Sequence, residues 1–262
     1  MSNPFEPFLQ QKTCRHGQML YNIHDQYIGR SLDLYGEFSE GEIDLFRQLV
    51  REGDVALDVG ANIGAHTVFL AQHVGPRGSV FAFEPQRVVF QTLCANVALN
   101  QLTNVDCRQA AVGATAGEII VPEIDYRRYA NFGGLSLDGW EQGRLVPVVA
   151  IDQLQLSKCE FIKVDVEGME VQVVRGARDT LSRLRPLLYV ENDRSEKSRD
   201  LIQLLRDCDY ELYWHTPRMF NANNFFGNAN NEFGDIVSHN MLCVHREVPH
   251  DIQGLRSVEL PI

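Results

Sequence analysis

Residues 57–64 read LDVGANIG, and residues 79–84 read SVFAFE. In the first stretch an apolar run, Val55, Ala56 and Leu57, meets Asp58 and then a glycine turn, with a helix starting near Gly64. Gly60 lets the chain turn sharply with no Cβ in the way, and Gly64 opens the helix start to close approach by a ligand. The second stretch is the next strand and ends on Glu84, 26 residues after Asp58. In a parallel α/β sheet two strand-end acids so placed stand side by side at the ligand-binding edge. One suits a ribose diol or a cationic amino-acid head, the other a ribose diol. Packing alone seldom produces such a pair, so a glycine turn without a ligand is the weaker reading.

Two cofactors compete for that geometry. A dinucleotide site wants Gly-x-Gly-x-x-Gly, which brings a helix N-terminus to the pyrophosphate. Here Asn62 replaces the middle glycine, and Asp58 would put negative charge beside the diphosphate. S-adenosylmethionine has no phosphate and carries a sulfonium cation that acidic residues favour. The stretch points to S-adenosylmethionine ahead of a nicotinamide cofactor.

The chain has 262 residues, an apolar fraction of 44% and a formal charge of −11. That length fits one α/β domain with an N-terminal extension, here divided as residues 1–40, a cap or self-association segment, and 41–262. The acidic balance disfavours nucleic acid, whose phosphates would be repelled without a basic patch. Arg183, Arg185, Arg194 and Arg199 are interspersed with acids and read as a solvated helical face. The six cysteines form no Cys-x-x-Cys pair and read as free, mostly buried thiols. The N-terminal stretch lacks the basic and apolar regions of a secretory signal, and no apolar run approaches the roughly 18 residues of a membrane span. A reduced, cytoplasmic setting is the expectation.

Strand-like runs at 54–59, 79–84, 104–109, 160–165 and 186–191 alternate with helical periodicity at 64–74, 87–100, 168–184 and 196–208. A first core helix is expected near 41–51, where Ser39 and Glu42 read as a capping box. Residues 211–214 and 240–247 read as two strands with no helix between them. The expected fold is α/β: a doubly wound, seven-stranded, mostly parallel sheet ending in an antiparallel strand pair. Short extra strands at 117–122 and 144–151 flank a surface loop.

Candidate chemistry gathers at strand ends. FIKVDVEGME (161–170) brings Asp165 to the carboxyl edge, with Glu167 and a Gly168 turn behind it. Asp165 and Glu167 read as a base and its partner, as a hold on the cofactor's methionine end, or as metal ligands; Glu167 and Glu170 also suit the start of the next helix. No metal is expected, because the segment shows no third ligand. The absence of Asn/Asp-Pro-Pro-aromatic at this strand end disfavours methylation of nucleobase amines. Glu191, ending the next strand, and His215 are the further candidates for a base. Residues 213–235 hold six asparagines between 221 and 231. Their amides suit a polyhydroxylated substrate, or simply serve turns. Tyr35 and Glu37, just before the first core helix, either cover a bound sulfonium or pack the N-terminus.

These stations together resemble the FkbM family of S-adenosylmethionine-dependent methyltransferases: LYGE (34–37), LDVGANIG (57–64), FAFEPQ (81–86), AAVG (110–113), IKVDVEGME (162–170) and LLYVE (187–191). The resemblance runs from about residue 30 to 247. It implies a class I methyltransferase fold and O-methylation of sugar or polyketide hydroxyls. It carries Asp58, Gly60, Asn62, Gly64 and Glu84 over as cofactor contacts, with Ala61, Pro85, Ala111 and Asp165 completing the expected set. The expected activity is transfer of methyl to a hydroxyl of a small polyhydroxylated metabolite, sugar or glycan precursor. The alternatives are methylation of an amine or carboxylate on a peptide or small molecule, and a non-catalytic glycan-binding protein. A homodimer through the N-terminal segment is a further expectation.

Overall fold

The computed structural model describes residues 7–137 and 139–259. Five parallel strands form its centre: β3 (Val55–Val59), β4 (Ser79–Phe83), β5 (Val105–Arg108), β9 (Phe161–Val164) and β10 (Leu187–Glu191). Strands β11 (Tyr210–His215) and β12 (Asn240–His245) extend the sheet beyond β10, with β12 antiparallel to both neighbours. A two-residue strand, β13 (Arg256–Ser257), pairs with the outer edge of β11, so the sheet has eight strands in the order β13-β11-β12-β10-β9-β3-β4-β5, not the seven expected. Nothing in Arg256–Ser257 marks a strand; it is recruited by the open backbone of β11.

Helices α3 (Ala65–Val74), α4 (Arg87–Leu99) and α7 (Ser195–Asp207) follow β3, β4 and β10. The central strands are buried on both faces, which explains their unbroken apolar runs. The helix expected over 168–184 is broken into α5 (Glu170–Arg175) and α6 (Arg178–Leu184). Gly176 sits at the break, where a Cβ would lie 2.1 Å from the Gly113 carbonyl. Asp152 restarts the helix by accepting the amides of Asp179 and Thr180 at 3.0 and 2.8 Å.

The described part of the N-terminal segment, from residue 7, is structured. β1 (Leu9–Cys14) and β2 (Gly17–Asn22) make a hairpin, followed by α1 (Ile28–Tyr35) and α2 (Glu40–Leu49). The hairpin docks on α4, whose Asn96 side chain accepts the Leu20 amide at 2.6 Å and donates to the Leu20 carbonyl at 3.0 Å. Ser39 does stand at the N-cap of α2, but in a left-handed conformation without a side-chain capping bond. Its expected box partner Glu42 turns inward and accepts a bond from Asn240 at 2.9 Å. Strands β6 (Ala111–Val112), β7 (Gly117–Val121) and β8 (Arg144–Val149) form a separate three-stranded sheet beside the carboxyl edge. All six cysteines are free, and among the described residues no helix is long and apolar enough to cross a membrane.

The tightest constraint lies at Gly60, whose φ is +81°. Its amide and that of Ala61 both bond the Phe83 carbonyl, at 3.1 and 2.9 Å, folding the end of β3 onto β4. On the other side a Cβ at Gly60 would lie 1.7 Å from the Asp165 carbonyl oxygen. Gly60→Ala is expected to cost about 2 kcal/mol or more, from left-handed strain plus backbone overlap. The shift in urea midpoint at constant slope measures it.

Candidate active site

The carboxyl edge of the sheet opens into two connected spaces. A narrow slot is walled by Phe83, Val112, Leu135, Leu137 and Met169, with Pro85 and Ala111 also lining it. A cavity of about 480 Å³ continues from it, bounded by α2, the start of α3 and the segment before β12. Gly60, Glu84, Asp165 and Glu167 border both spaces. That size and mixture of apolar wall and converging polar groups suit a small-molecule site.

Glu84 is 4% exposed and holds the turn from within. Its two oxygens accept the Asn62 and Gln86 amides at 3.0 and 2.8 Å. Burial pushes its carboxyl up to about 7 against the pull of those two donors. Asn62 takes a φ of +50°, steadied by its own side chain accepting the Ile63 amide at 2.8 Å. Ala61 and Asn62 line the larger cavity.

Four expected cofactor contacts stand elsewhere. Asp58 is fully buried: it accepts the Thr67 hydroxyl at 2.6 Å and pairs with Lys163 at 3.2 Å, behind the cavity wall. Gly64 lines neither space; its missing side chain makes room for Leu93, whose Cδ1 would lie 2.6 Å from a Cβ. Tyr35 is 1% exposed and its hydroxyl donates to the Asn230 carbonyl at 2.8 Å while accepting the Glu232 amide at 2.9 Å. Glu37, also buried, accepts from Arg15, Asn221 and the Phe225 amide at 2.6, 2.8 and 2.8 Å. Both residues brace the asparagine-rich segment rather than a sulfonium. The asparagines serve that segment too: Asn224, Asn228 and Asn231 bond its own backbone or α1, and none of the six lines the cavity. Its flanks, Met219 and residues 236–239, form the wall.

The candidate bases divide. Asp165 lines the cavity with its side chain 40% exposed, and Lys163 Nζ lies 3.5 Å from its Oδ2. Glu191 also lines it, yet burial first, then Asp165, Glu167 and Asp193, raise its carboxyl to about 11. In the protein alone its surroundings therefore disfavour the carboxylate form. His215 is bonded through Nδ1 to the Tyr189 hydroxyl at 2.8 Å and lies in a neighbouring cavity with Trp214 and Arg256. Arg194, expected on a solvated face, instead bonds Glu167 at the cavity.

Lys163, Glu42 and His66 were not anticipated. Lys163 Nζ is buried and donates to Asp58 and the Gly60 carbonyl at 3.2 and 3.0 Å. Burial pulls its pKa down, but Asp58, Asp165 and Glu42 outweigh that and raise it. The signal was present in Ile-Lys-Val-Asp, a lysine inside a fully apolar strand, which demands a buried partner. Burial raises Glu42 to about 7 and lowers His66 to about 4, so the two face each other at 3.3 Å with His66 neutral. Asp165, Glu167 and Glu191 bring one oxygen each within 4.8 Å of the others; Glu191, from the adjacent strand, is the third carboxylate that the segment itself lacked.

This crevice lies at the carboxyl edge of a doubly wound sheet, with the buried Glu84 at its turn and an acid-rich floor. The signature of the methyltransferase FkbM domain matches residues 58–212, more than half of the chain. The protein belongs to that family and is a methyltransferase, with S-adenosylmethionine as its methyl donor. It is 29% identical over 185 residues to the hexuronic acid methyltransferase AglP of Haloferax volcanii, covering 69% of this chain and 72% of that one. It is 28% identical over 191 residues to the methyltransferase sdnD of Sordaria araneosa, covering 60% of this chain and 73% of that one. Among solved structures, a methyltransferase FkbM from Methylobacillus flagellatus KT aligns with a TM-score of 0.48 and 19% identity, over 74% of this chain and 45% of that chain.

Lys163→Met is expected to destabilise the fold by about 3–5 kcal/mol, because it strands the buried Asp58 carboxylate. In an Asp58→Asn background the same substitution should cost much less. Urea unfolding of the two single variants and the double variant reads that coupling.

Proposed function

We propose that this protein transfers methyl from S-adenosylmethionine to a hydroxyl oxygen of a small polyhydroxylated acceptor of the sugar or sugar-acid class. One observation carries the acceptor side. Among the described residues, three buried side-chain atoms make no well-aligned hydrogen bond: His66 Nε2 and Arg194 Nε, which have only a carboxylate oxygen at 3.3 Å, from Glu42 and Asp193 respectively, and Glu191 Oε2. All three residues line the same cavity. Unmet buried polar groups are costly, and their convergence marks where a polar ligand completes the site. A hydroxyl-rich acceptor both donates and accepts and so fits a neutral imidazole, a carboxyl and a guanidinium together. The relative named for a hexuronic acid acts on that same class.

On this reading Glu84 takes the ribose diol, Gly60, Ala61 and Asn62 shape the turn around the cofactor, and Pro85 and Ala111 face its base. When bound, the cofactor supplies a methyl group made electrophilic by its sulfonium. Asp58 and Lys163 act from behind, fixing Asp165 beside the reacting atoms. Asp165 receives the proton that the acceptor hydroxyl gives up as its oxygen gains carbon. Holding both reactants at attack distance contributes most, on the order of 7–11 kcal/mol. Residues 27–42 cap the acceptor side through Tyr27, Ile28, Phe38 and Glu42, which line the cavity.

A second reading, esterification of a sugar-acid carboxylate, is favoured by the Arg194 guanidinium, which lines the cavity while held by Glu167 and Asp193. Treating the methylated product with base separates the two, since an ester is cleaved and an ether survives.

Two outcomes test the proposal. Glu84 carries a proton up to about pH 7 in the free protein, and binding the ribose diol favours its carboxylate. Affinity for S-adenosylmethionine should therefore rise as pH increases toward about 7 and level above it, with Glu84→Gln weak and flat throughout. The unliganded fold responds with the opposite sign. Its carboxyl is raised above the unfolded value, so this group's contribution to stability falls as pH rises from 4.5 to about 7. Calorimetric titration on either side of neutrality reads the first effect, and absence of cofactor binding at every pH would overturn the assignment. Separately, Asp165→Asn should lower turnover by about 10²–10⁴-fold while changing cofactor affinity far less. Single-turnover rates beside calorimetric affinities decide it; equal losses in both would make Asp165 a cofactor ligand only.

A further inference from the structure

The carboxyl edge of the sheet continues past the candidate active site. In sheet order β9, β10, β12 and β11 stand side by side. β12 runs against β10, and β11 runs against β12, so β11 ends at the same edge as β9 and β10. There His215 pairs with Asn240, and Asn240 with Glu191. A second cleft, of about 670 Å³, opens at that end of β11, and Trp214, His215, Thr216, His239 and Arg256 line it. His239 also lines the cavity that holds Asp165, so the two spaces meet at that residue.

The two spaces differ in chemistry. The cavity is lined by six carboxylates: Glu42, Glu84, Asp165, Glu167, Glu191 and Asp193. The cleft has none among its lining residues; it offers an indole, two imidazoles, a hydroxyl and a guanidinium. Trp214 packs against the main apolar core while staying partly exposed at the cleft. His215 is held in place, its Nδ1 bonded to the hydroxyl of the buried Tyr189 at 2.8 Å, which leaves Nε2 for a ligand. The short strand β13 pairs Arg256 with Trp214 and so brings the guanidinium to the same cleft. The side chains of Trp214, His239 and Arg256 donate no hydrogen bond to the other described residues. An aromatic face beside free donors, with no acid, suits a sugar ring. The ring's C–H face lies on an indole, and its hydroxyl or carboxylate oxygens accept from imidazole and guanidinium.

Distance limits what can fill both spaces. Three strand spacings separate β9 from β11, about 14 Å at the usual separation. A single sugar ring beside Asp165 does not reach Trp214, whereas a chain of linked rings does.

We infer that the acceptor is an oligosaccharide: the ring to be methylated lies in the cavity beside Asp165, and the rings linked to it pass His239 into the Trp214 cleft. This inference rests on the proposed reading of the cavity as the acceptor site, and it narrows the acceptor from a single sugar to a linked chain. The cleft then contributes binding away from the reacting atoms, and that binding holds the ring in the cavity at attack distance. His239 stands where one ring gives way to the next, so its exposed side chain faces the linkage between them.

The test reads the cleft by fluorescence. Trp140 and Trp214 are the two tryptophans of the chain, so in Trp140→Phe the emission reports Trp214 alone. The full chain, saturated with S-adenosylhomocysteine so that no transfer occurs, is titrated with galacturonic acid and with its linear trimer, and calorimetry gives the affinities. The trimer should bind at least about tenfold tighter than the single sugar and change the Trp214 emission, which the single sugar leaves unmoved. Arg256→Ala, at an exposed position, should remove most of that gain. Equal affinity for single sugar and trimer overturns the inference, and so does a gain that Arg256→Ala leaves whole. A tighter trimer with unmoved Trp214 emission also overturns it, since the chain would extend elsewhere. Emission that responds as strongly to the single sugar makes the cleft a separate site and overturns it as well. Binding of S-adenosylhomocysteine with neither sugar bound removes the sugar-acid reading of the cavity and this inference with it. Failure to bind S-adenosylhomocysteine instead removes the cofactor assignment.

Discussion

The site depends on one buried ammonium group. Lys163 stands inside β9, 3% exposed, and its Nζ reaches Asp58 on β3, the Gly60 carbonyl at the turn and Asp165 at the cavity floor. A lysine in such a place is tolerable only if the attraction of its partners exceeds the cost of desolvation, and the raised pKa indicates that it does. The pair links two adjacent parallel strands at the point where each gives way to a loop. It works together with the contact between Gly60 and the Asp165 carbonyl, which leaves no room for a Cβ. Charge and backbone contact thus fix the spacing between the Gly60 turn and the Asp165 carboxylate. Rigid placement of that kind is what a transfer reaction governed by proximity requires.

Around this centre the electrostatics are graded. Asp58 lies deepest and is matched by Thr67 and Lys163. Glu84 and Glu42, each raised to about 7 by burial, border the cavity with partial compensation from amides or a neighbouring amide side chain. Glu191 has one buried oxygen, Oε2, that accepts no hydrogen bond. The floor therefore grows more demanding of positive charge toward the acceptor side. That gradient suits a cofactor with a cationic sulfur and an acceptor that arrives with polar groups of its own.

Much of this was legible in the sequence where short-range chemistry decides the structure. The turn at Gly60 and the acid at Glu84 follow from a strand, a positive-φ position and a second strand, all within one βαβ unit. The parallel core followed from unbroken apolar runs. Contacts spanning long separations were not legible. Tyr-Gly-Glu before a helix reads the same whether its partner is a ligand or a loop nearly 200 residues later, and Tyr35 and Glu37 proved to hold that loop. Gly64 resembled a ligand-facing glycine because the sequence does not reveal that Leu93 packs against it. Glu191 was placed beside Asp165 by strand order, but its carboxyl is raised first by burial, then by Asp165 and by Glu167 turned inward on a left-handed backbone, none of which strand order reveals. Arg194 misled for a similar reason, since charge alternation along a helix gives no warning that the residue capping its start bonds Glu167 at the cavity.

The bracing of the asparagine-rich segment has a consequence for how this enzyme could diverge. On the proposed reading the donor side of the crevice is drawn from residues 59–169, whereas much of the acceptor wall comes from residues 27–42 and 219–240. Those two acceptor pieces are stitched to each other, through Tyr35 to Asn230 and Glu37 to Asn221, more than to the donor half. Substrate preference can therefore drift while the cofactor grip is inherited unchanged, but the two stitched pieces have to vary as a matched set. A lineage that altered one without the other would lose the seam before it gained a new acceptor.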